Sequence, residues 1–452
     1  MINIHTHIFT LNHVPLRFVP MQGLLARKGR FRKIWILLLY LLSGMPRLSG
    51  RRGRESRRAA RRQPDALLRG CGNGRNSHKR SARMALFLLR GSQASQTEIF
   101  TQLQGFYPTG TRFAVHTIDF DYMGAGGFST DPASGKPYNY LHQLEEVAQL
   151  KATKPWGDAL LPFFCADPRR PHLIALAKSC LLTRGFAGIK LYPAMGFFPT
   201  DSRLMPLWAW VAQRGIPVMV HCSRNGPVYG RTRPEPGYCP PHTGQLNTRQ
   251  RITGQLNTRH LPTGQPLSPA SLRGWAERYN HPLNYEPLLQ QFAGLKICFA
   301  HFGGEEDCME LYREGGNPHD NWCSHICRLM KSYPGVYADI SFSSAHPDLM
   351  AFFHVMAQHR AGAAAGEAGA AAEAVAKSEE VTAASGAAGA AAGGGYSMAD
   401  KILFGSDYYM SSMKRNERWF SVNIRAVMGE ESFRRIAVEN PARFLAWKNR
   451  NP

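Results

Sequence analysis

Met1-Ile2-Asn3-Ile4-His5-Thr6-His7 opens the chain with an apolar run that ends in two histidines one residue apart. Side chains on a β-strand alternate with period two, so His5 and His7 share a face. Neutral imidazoles are the commonest protein ligands for zinc and similar ions, and two at this spacing can chelate one ion without a folded loop around it. A lone His-x-His is also a frequent accident of packing. The reading therefore turns on what stands at the ends of the other strands.

Seven further segments are apolar, rich in Val, Ile and Phe, and bounded by turn residues: Arg112–Asp119, Leu160–Ala166, Gly188–Tyr192, Pro217–Cys222, Leu295–Ala300, Val336–Ile340 and Ile402–Gly405. With Ile2–His7 they make eight predicted strands. Helical patterns fill most of the intervals, at Leu141–Leu150 (with Leu141, Leu144 and Ala148 on one side), Pro171–Arg184, Leu204–Arg214, Tyr285–Phe292 and His319–Ser332. Met413–Met428 and Glu431–Trp447 complete the helical layer. Strict alternation of strand and helix implies a parallel sheet, and eight repeats imply its closure. The expected fold is α/β, a (β/α)8 TIM barrel, with the whole chain 1–452 as a single domain.

Three inserts interrupt the pattern. The net charge of +23 is concentrated at 23–90, where 19 Lys/Arg face only Glu55 and Asp65, so +17 lies there and the rest is near neutral at +6. Runs such as Arg51-Arg52-Gly53-Arg54 repel themselves and stay solvated. Clustered arginine supplies a sequence-independent attraction for phosphate, but no aromatic stacking platform or recognition motif accompanies it, so specific nucleic-acid binding is not expected. The apolar stretch Ile34–Leu42 is too short to span a bilayer, while its basic flanks leave contact of this segment with a membrane surface open. A second insert, 232–268, contains Thr243-Gly244-Gln245-Leu246-Asn247-Thr248-Arg249, repeated from Thr253 and begun again at Thr263. One apolar residue per copy cannot build a solenoid core, so this reads as a duplicated loop. The third, 361–395, is nearly all Ala, Gly and Glu, a low-complexity segment before the eighth strand. Nine cysteines without a regular framework argue against a disulfide scaffold and for a reducing cytoplasm, and with the sequence opening on a strand a cleaved signal peptide is not expected.

Barrel active sites form at the C-terminal ends of the strands. There the sequence places His5 and His7 on the first strand, Lys190 on the fourth, His221 on the fifth, His301 on the sixth and Asp407 on the eighth. Each follows an apolar run, and together they outweigh any one of them. Lys190 by itself reads as an ammonium for a substrate carboxylate or as an ion pair with Asp167 or Asp339. Arg169, Arg170 and Arg224 follow strand ends and could clamp an anionic substrate; Tyr192, which closes the fourth strand, is a further candidate for substrate contact. Asp119, Asp121 and Tyr122 read equally as pocket wall or solvated turn. Cys308, Cys323, His325 and Cys327 have metal-binding chemistry, but Cys323 and Cys327 share a helix face simply as small apolar residues.

These residues resemble the amidohydrolase superfamily of metal-dependent (β/α)8 enzymes, most closely its amidohydrolase-related branch, which includes aromatic-acid decarboxylases. The resemblance covers the first strand and then Arg112 to the C-terminus, less the inserts, and Glu439-Asn440-Pro441-Ala442-Arg443-Phe444-Leu445 looks like the family's closing helix. It implies His5, His7, His221 and Asp407 as ligands of one divalent ion, with zinc expected, and His301 as a catalytic residue or, in two-metal members, a ligand. A carboxylated Lys190 would bridge a second ion. The implied activity is a metal-dependent hydrolase in which a metal-activated water, its pKa brought from about 15.7 to about 7, attacks a C–N or ester/lactone bond. Asp407 would accept the water's proton and His301 polarise the carbonyl. The expected partner is a small-molecule substrate, and a homo-oligomer is compatible with the sequence. The alternatives are a non-oxidative decarboxylase of an aromatic or unsaturated acid and, more distantly, a non-catalytic anion-binding protein.

Overall fold

The computed structural model describes residues 1–15, 76–124, 127–224, 269–314, 321–358 and 397–447. Eight strands form one parallel sheet in sequential order: β1 Ile2–Thr6, β2 Arg112–His116, β3 Leu160–Ala166, β4 Gly188–Leu191, β5 Pro217–Val220, β6 Lys296–Phe299, β7 Val336–Asp339 and β8 Ile402–Leu403. The Ile4 N–H donates to Phe404 O at 2.9 Å and the Asp407 N–H to His5 O at 2.8 Å, which joins the last strand to the first. This is the (β/α)8 barrel expected from the strand count. Seven of the strands begin where the sequence pattern does; most end one to three residues earlier, because the backbone leaves the ladder to form the mouth.

Period-two alternation sorts the side chains into two layers. Ala114, Leu161, Phe163, Met219, Cys298, Tyr337 and Leu403 fill the barrel interior, while Val115, Phe164, Ile189, Val218, Ile297, Val336 and Ile402 pack outward beneath the helices. Phe444 and Leu445 of the last helix join the inner cluster and plug the barrel. β1 departs from strict alternation. Its register with β2 shifts between Asn3 and Thr6, so Ile2 and Ile4 line the interior and His5 and His7 still arrive on the inner side.

The described α-helices longer than four residues are α1 Asn76–Gly91, α2 Gln96–Gln104, α3 Tyr140–Ala152, α4 Leu173–Thr183, α5 Met205–Arg214, α6 Pro269–Asn280, α7 Glu286–Gln291, α8 Glu305–Glu314, α9 Trp322–Ser332, α10 Pro347–Gln358, α11 Ile424–Arg434 and α12 Asn440–Leu445. Five of them (α1, α2, α6, α8 and α10) were not expected; buried polar residues interrupt the stripe of α1 at Arg90 and of α2 at Gln96, whereas α10 carries an unbroken stripe of Leu349, Met350, Phe352, Phe353 and Met356. The expected helix Met413–Met428 is divided into a 3-10 turn at Met410–Met413 and a π turn that leads into α11, and Gly429 interrupts α11 at φ +72°. Leu141 is exposed on α3, whose buried face is Tyr140, Gln143, Leu144, Val147 and Ala148. The 23–90 insert ends in α1, whose Leu86, Leu88 and Arg90 are buried. The arginine runs, Ile34–Leu42, the ten-residue repeat and the Ala/Gly-rich segment lie outside the described residues. No described helix is long and apolar enough to cross a membrane.

Glycine sets how closely the strands approach at the base. A Cβ on Gly335, just before β7, would lie 2.0 Å from Leu295 O. Gly335→Ala is expected to destabilise by about 1–3 kcal/mol or more, because backbone must move. Gly274 in α6 has nothing within 4 Å of its would-be Cβ. Gly274→Ala is expected to stabilise by about 0.5–1 kcal/mol through helix propensity. Thermal midpoints that move alike in the two variants would contradict this account.

Candidate metal centre

The strand ends deliver their polar side chains into one buried cluster. His7 Nε2 lies 3.3 Å and His5 Nε2 3.6 Å from Asp407 Oδ1. Ligands about 2.0–2.1 Å from a tetrahedral zinc are about 3.3–3.4 Å apart, so these three atoms are spaced as ligands of one ion. The partners of the other ring nitrogens fix the tautomers. His7 Nδ1 donates to His116 O at 3.0 Å, and His5 Nδ1 donates to Asp339 Oδ2 at 2.9 Å. With a proton on each Nδ1, the neutral form of either ring presents an Nε2 lone pair to the centre. His5 Nε2 is fully buried and has no hydrogen-bond partner, the state of an atom arranged for a ligand.

Asp339, the last residue of β7, organises the next layer. Besides His5 its carboxylate accepts from the His301 N–H at 3.1 Å, the Ser341 N–H at 2.9 Å and the Ser341 hydroxyl. His5, His301 and Asp339 also lie within 4.8 Å of one another. With so many donors already on the carboxylate, Asp339 serves to orient imidazoles. His301 Nδ1 faces Ser341 O at 3.3 Å and Ser341 Oγ at 3.0 Å, so its proton sits there and its Nε2 carries the lone pair. Three of the turning points in this mouth, His301, Phe342 and Asp407, have φ near +60°, a left-handed conformation rare for side chains of this size. At His301 that turn breaks the alternation of β6 and re-aims the ring inward.

His221 stands one step outside the close group: its ring packs edge-on against His301 at 5.1 Å and stacks on Tyr192 at 4.2 Å. Its Nε2 is likewise buried without a partner. Lys190 Nζ, at the same level on β4, is buried and makes no hydrogen bond. Neither expected ion pair forms, since Asp167 is taken by Arg169 and Asp339 by the imidazoles. Burial pulls the Lys190 amine below the usual lysine range although Asp339 and Asp407 act the other way. Burial, with Lys190 adding repulsion, holds His5, His116 and His221 well below the ordinary imidazole value. Their neutral, ligating forms are thus favoured.

The sequence reading missed His116 and Asp339 as members of this cluster. His116 Nε2 donates to Ile4 O at 2.8 Å, and its ring lies 4.8 Å from His5. The signal was present, because His116 ends Phe113-Ala114-Val115-His116 as His221 ends Val218-Met219-Val220-His221. Of the residues expected to bind substrate, Tyr192 reaches the cluster through His221. Arg169 forms a bidentate pair with Asp167 at 2.8 and 2.6 Å, and Arg224 contacts both oxygens of Asp307 at 3.2 Å. Asp119 and Asp121 are no solvated turn: both hold Arg170, at 2.6 Å each. Cys308, Cys323 and Cys327 are free thiols buried in the core between helices.

The amidohydrolase family model matches residues 143–447. No curated protein matches the sequence significantly. Solved structures with a similar trace include an uncharacterized TIM-barrel protein from Bordetella bronchiseptica (12% identity, 98% of each chain covered, TM-score 0.45). Others are 4-oxalomesaconate hydratase from Rhodopseudomonas palustris (12% identity, 98% of this chain and 95% of that one, TM-score 0.40) and dihydroxybenzoic acid decarboxylase from a Polaromonas species with bound manganese and the inhibitor 2-nitroresorcinol (12% identity, 80% and 88%, TM-score 0.40). At these TM-scores they add nothing to the assignment. The family match begins after β2, so His5 and His7 rest on geometry alone, while His221, His301, Asp339 and Asp407 fall inside it. It spans roughly two thirds of the sequence, and the chain therefore belongs to the amidohydrolase family.

Proposed function

We propose that the chain is a metal-dependent hydrolase that cleaves a C–N or ester/lactone bond of a small-molecule substrate. His5, His7 and Asp407 would hold one divalent ion, with His221 completing the set. The observation that carries this reading is the convergence of two oriented Nε2 lone pairs on Asp407 Oδ1, at 3.3 and 3.6 Å. An imidazole and carboxylate set suits zinc among the common ions. Such an ion supplies Lewis acidity and lowers the pKa of water from about 15.7 to about 7.

The protein's own groups then have distinct tasks. Asp407 keeps a second carboxylate oxygen, which can take a proton from the attacking water and return it to the leaving group. Neutral His301, with its proton directed at Ser341, offers Nε2 as a second base, and becomes a donor to an oxyanion only once protonated. That tautomer revises the simple expectation of a carbonyl-polarising histidine. Tyr192 would form wall beside His221, whereas Arg169 and Arg224, each already holding a carboxylate, are poorer anchors than their positions suggested. A second reading, decarboxylation of an aromatic or unsaturated acid on the same centre, is favoured by one observation: Lys190, whose ammonium form has no carboxylate of its own to pair with. Screening amides, esters and lactones against carboxylic acids, with CO2 release measured, separates the two.

Purified protein is expected to hold metal, and His5→Ala and Asp407→Asn should each lose the ion of the barrel centre together with activity; wild-type protein without stoichiometric metal on elemental analysis would sink the proposal. Asp339→Asn leaves every ligand in place but frees the His5 ring, so metal affinity should fall about 10–100-fold. Unchanged affinity in a chelator competition would remove Asp339 from this role. The lowered imidazole pKa values also set a pH dependence. In the metal-free protein the unfolded chain binds protons at His5, His116 and His221 that the folded chain refuses. Stability should therefore fall as pH drops below about 6.5, the unfolded histidine value. Melting the chelated protein at pH 7.5 and 5.5 tests this, with a smaller drop expected in His116→Gln; an equal drop in both would contradict it.

A further inference from the structure

A second group of metal-ligating atoms lies outside the barrel centre. His13 ends a 3-10 turn after β1, and His142 and Glu146 project one turn apart from the same face of α3. His13 Nε2 is 3.3 Å from Glu146 Oε2 and 3.4 Å from His142 Nδ1, and all three atoms fall within 4.8 Å of one another. These separations match the roughly 3.3–3.4 Å between ligands of a tetrahedral zinc. We propose that His13, His142 and Glu146 form a second, structural site for a divalent transition ion of the zinc class, which ties the segment leaving β1 to α3.

The surroundings have the features of a built site. Asp131 Oδ2 lies 3.6 Å from His142 Nε2, longer than a hydrogen bond but a carboxylate on the ring nitrogen that does not face His13, which favours a proton there and leaves Nδ1 as the donor atom. Gln96 Nε2 donates to Glu146 Oε2 at 2.8 Å and holds that carboxylate in place. The Tyr138 ring packs edge-on against both imidazoles, at 4.6 and 5.5 Å. His13 is buried, while the side chains of His142 and Glu146 are 16% and 26% exposed. The ion would thus enter from solvent and keep an open position there. His13 Nδ1 meets Thr10 twice, accepting from its N–H at 3.1 Å and lying 3.0 Å from its hydroxyl oxygen. With an ion on Nε2 the ring proton moves to Nδ1 and is accepted by the Thr10 hydroxyl, at the loss of the Thr10 N–H contact. The competing account of the same atoms is a metal-free cluster in which His13 Nε2–H donates to Glu146.

The test is zinc stoichiometry of the full-length chain, stripped with chelator and titrated with zinc alone. Glu146→Gln and His142→Ala are expected to bind one equivalent fewer than wild type and to lose part of the zinc-dependent rise in melting temperature. Asp407→Asn should keep the equivalent bound here, which makes failure of this site distinguishable from failure of the barrel centre. If Glu146→Gln and His142→Ala both bind as much zinc as wild type, the site does not exist and the hydrogen-bonded cluster is the correct account. Circular dichroism of Glu146→Gln, a nearly isosteric change, shows whether a lost equivalent reflects the site or misfolding.

Discussion

Closure of the sheet is the constraint on which everything else in this molecule depends. The Asp407 N–H reaches His5 O at 2.8 Å, which joins residues from opposite ends of the chain. Without that contact His5 and His7 would line one edge of an open sheet, and Asp407 the other. Parallel strands can close only when every crossover between them is covered by packed structure, and the continuous outer layer of apolar side chains supplies that cover. The candidate site is therefore non-local: one strand provides two imidazoles, its neighbour across the seam provides the carboxylate, and the groups that orient the rings come from β7 for His5 and β2 for His7.

The fold was legible because burial on both faces makes parallel strands apolar throughout, and eight such runs survive even large insertions. The candidate site residues were legible for a related reason. Once the ladder ends, a polar residue after an apolar run has nowhere to go but the mouth. What the pattern could not show is how strict alternation is broken. The register shift in β1 and the left-handed turn at His301 are backbone events with no composition signal, yet they decide which way three of the imidazoles face. His116, and the role of Asp339 as a partner of imidazoles, escaped notice for the opposite reason. Both residues obey the alternation, but an aspartate or histidine that serves a neighbouring side chain looks no different in sequence from one in a turn. Helices α1 and α2 were illegible because their stripes are interrupted by polar residues that are themselves buried, Arg90 and Gln96.

The rim of the barrel is ordered by charge that cancels locally. Arg169 with Asp167, Arg170 with Asp119 and Asp121, and Arg224 with Asp307 each neutralise an acid beside a strand end. Tyr122 is flanked by two of these guanidinium groups, at 4.9 and 5.1 Å from its ring centre. Such partly buried pairs are costly to break because each would strand an uncompensated charge. They fix the loops that border the site, and they leave little free positive charge in the described rim. The strong basicity of the chain is accordingly a property of its insert, separate from the field around the centre.

The docking of α1 bears on how such an insert can be gained or lost. Arg90, at its end, is 1% exposed, donates to Ser412 and stacks over Tyr408, the residue next to Asp407. A Cβ on the adjoining Gly91 would press within 2.9 Å of Leu11 and 3.0 Å of Tyr409. The far post of the insert is thus built into the wall behind the carboxylate. Evolution, or an engineer trimming the basic arm, is free to change the length of chain upstream of α1 but not the joint itself. An excision that removes the whole 23–90 segment would open a hole behind Tyr408, and would blur any attempt to assign a role to the arginines alone.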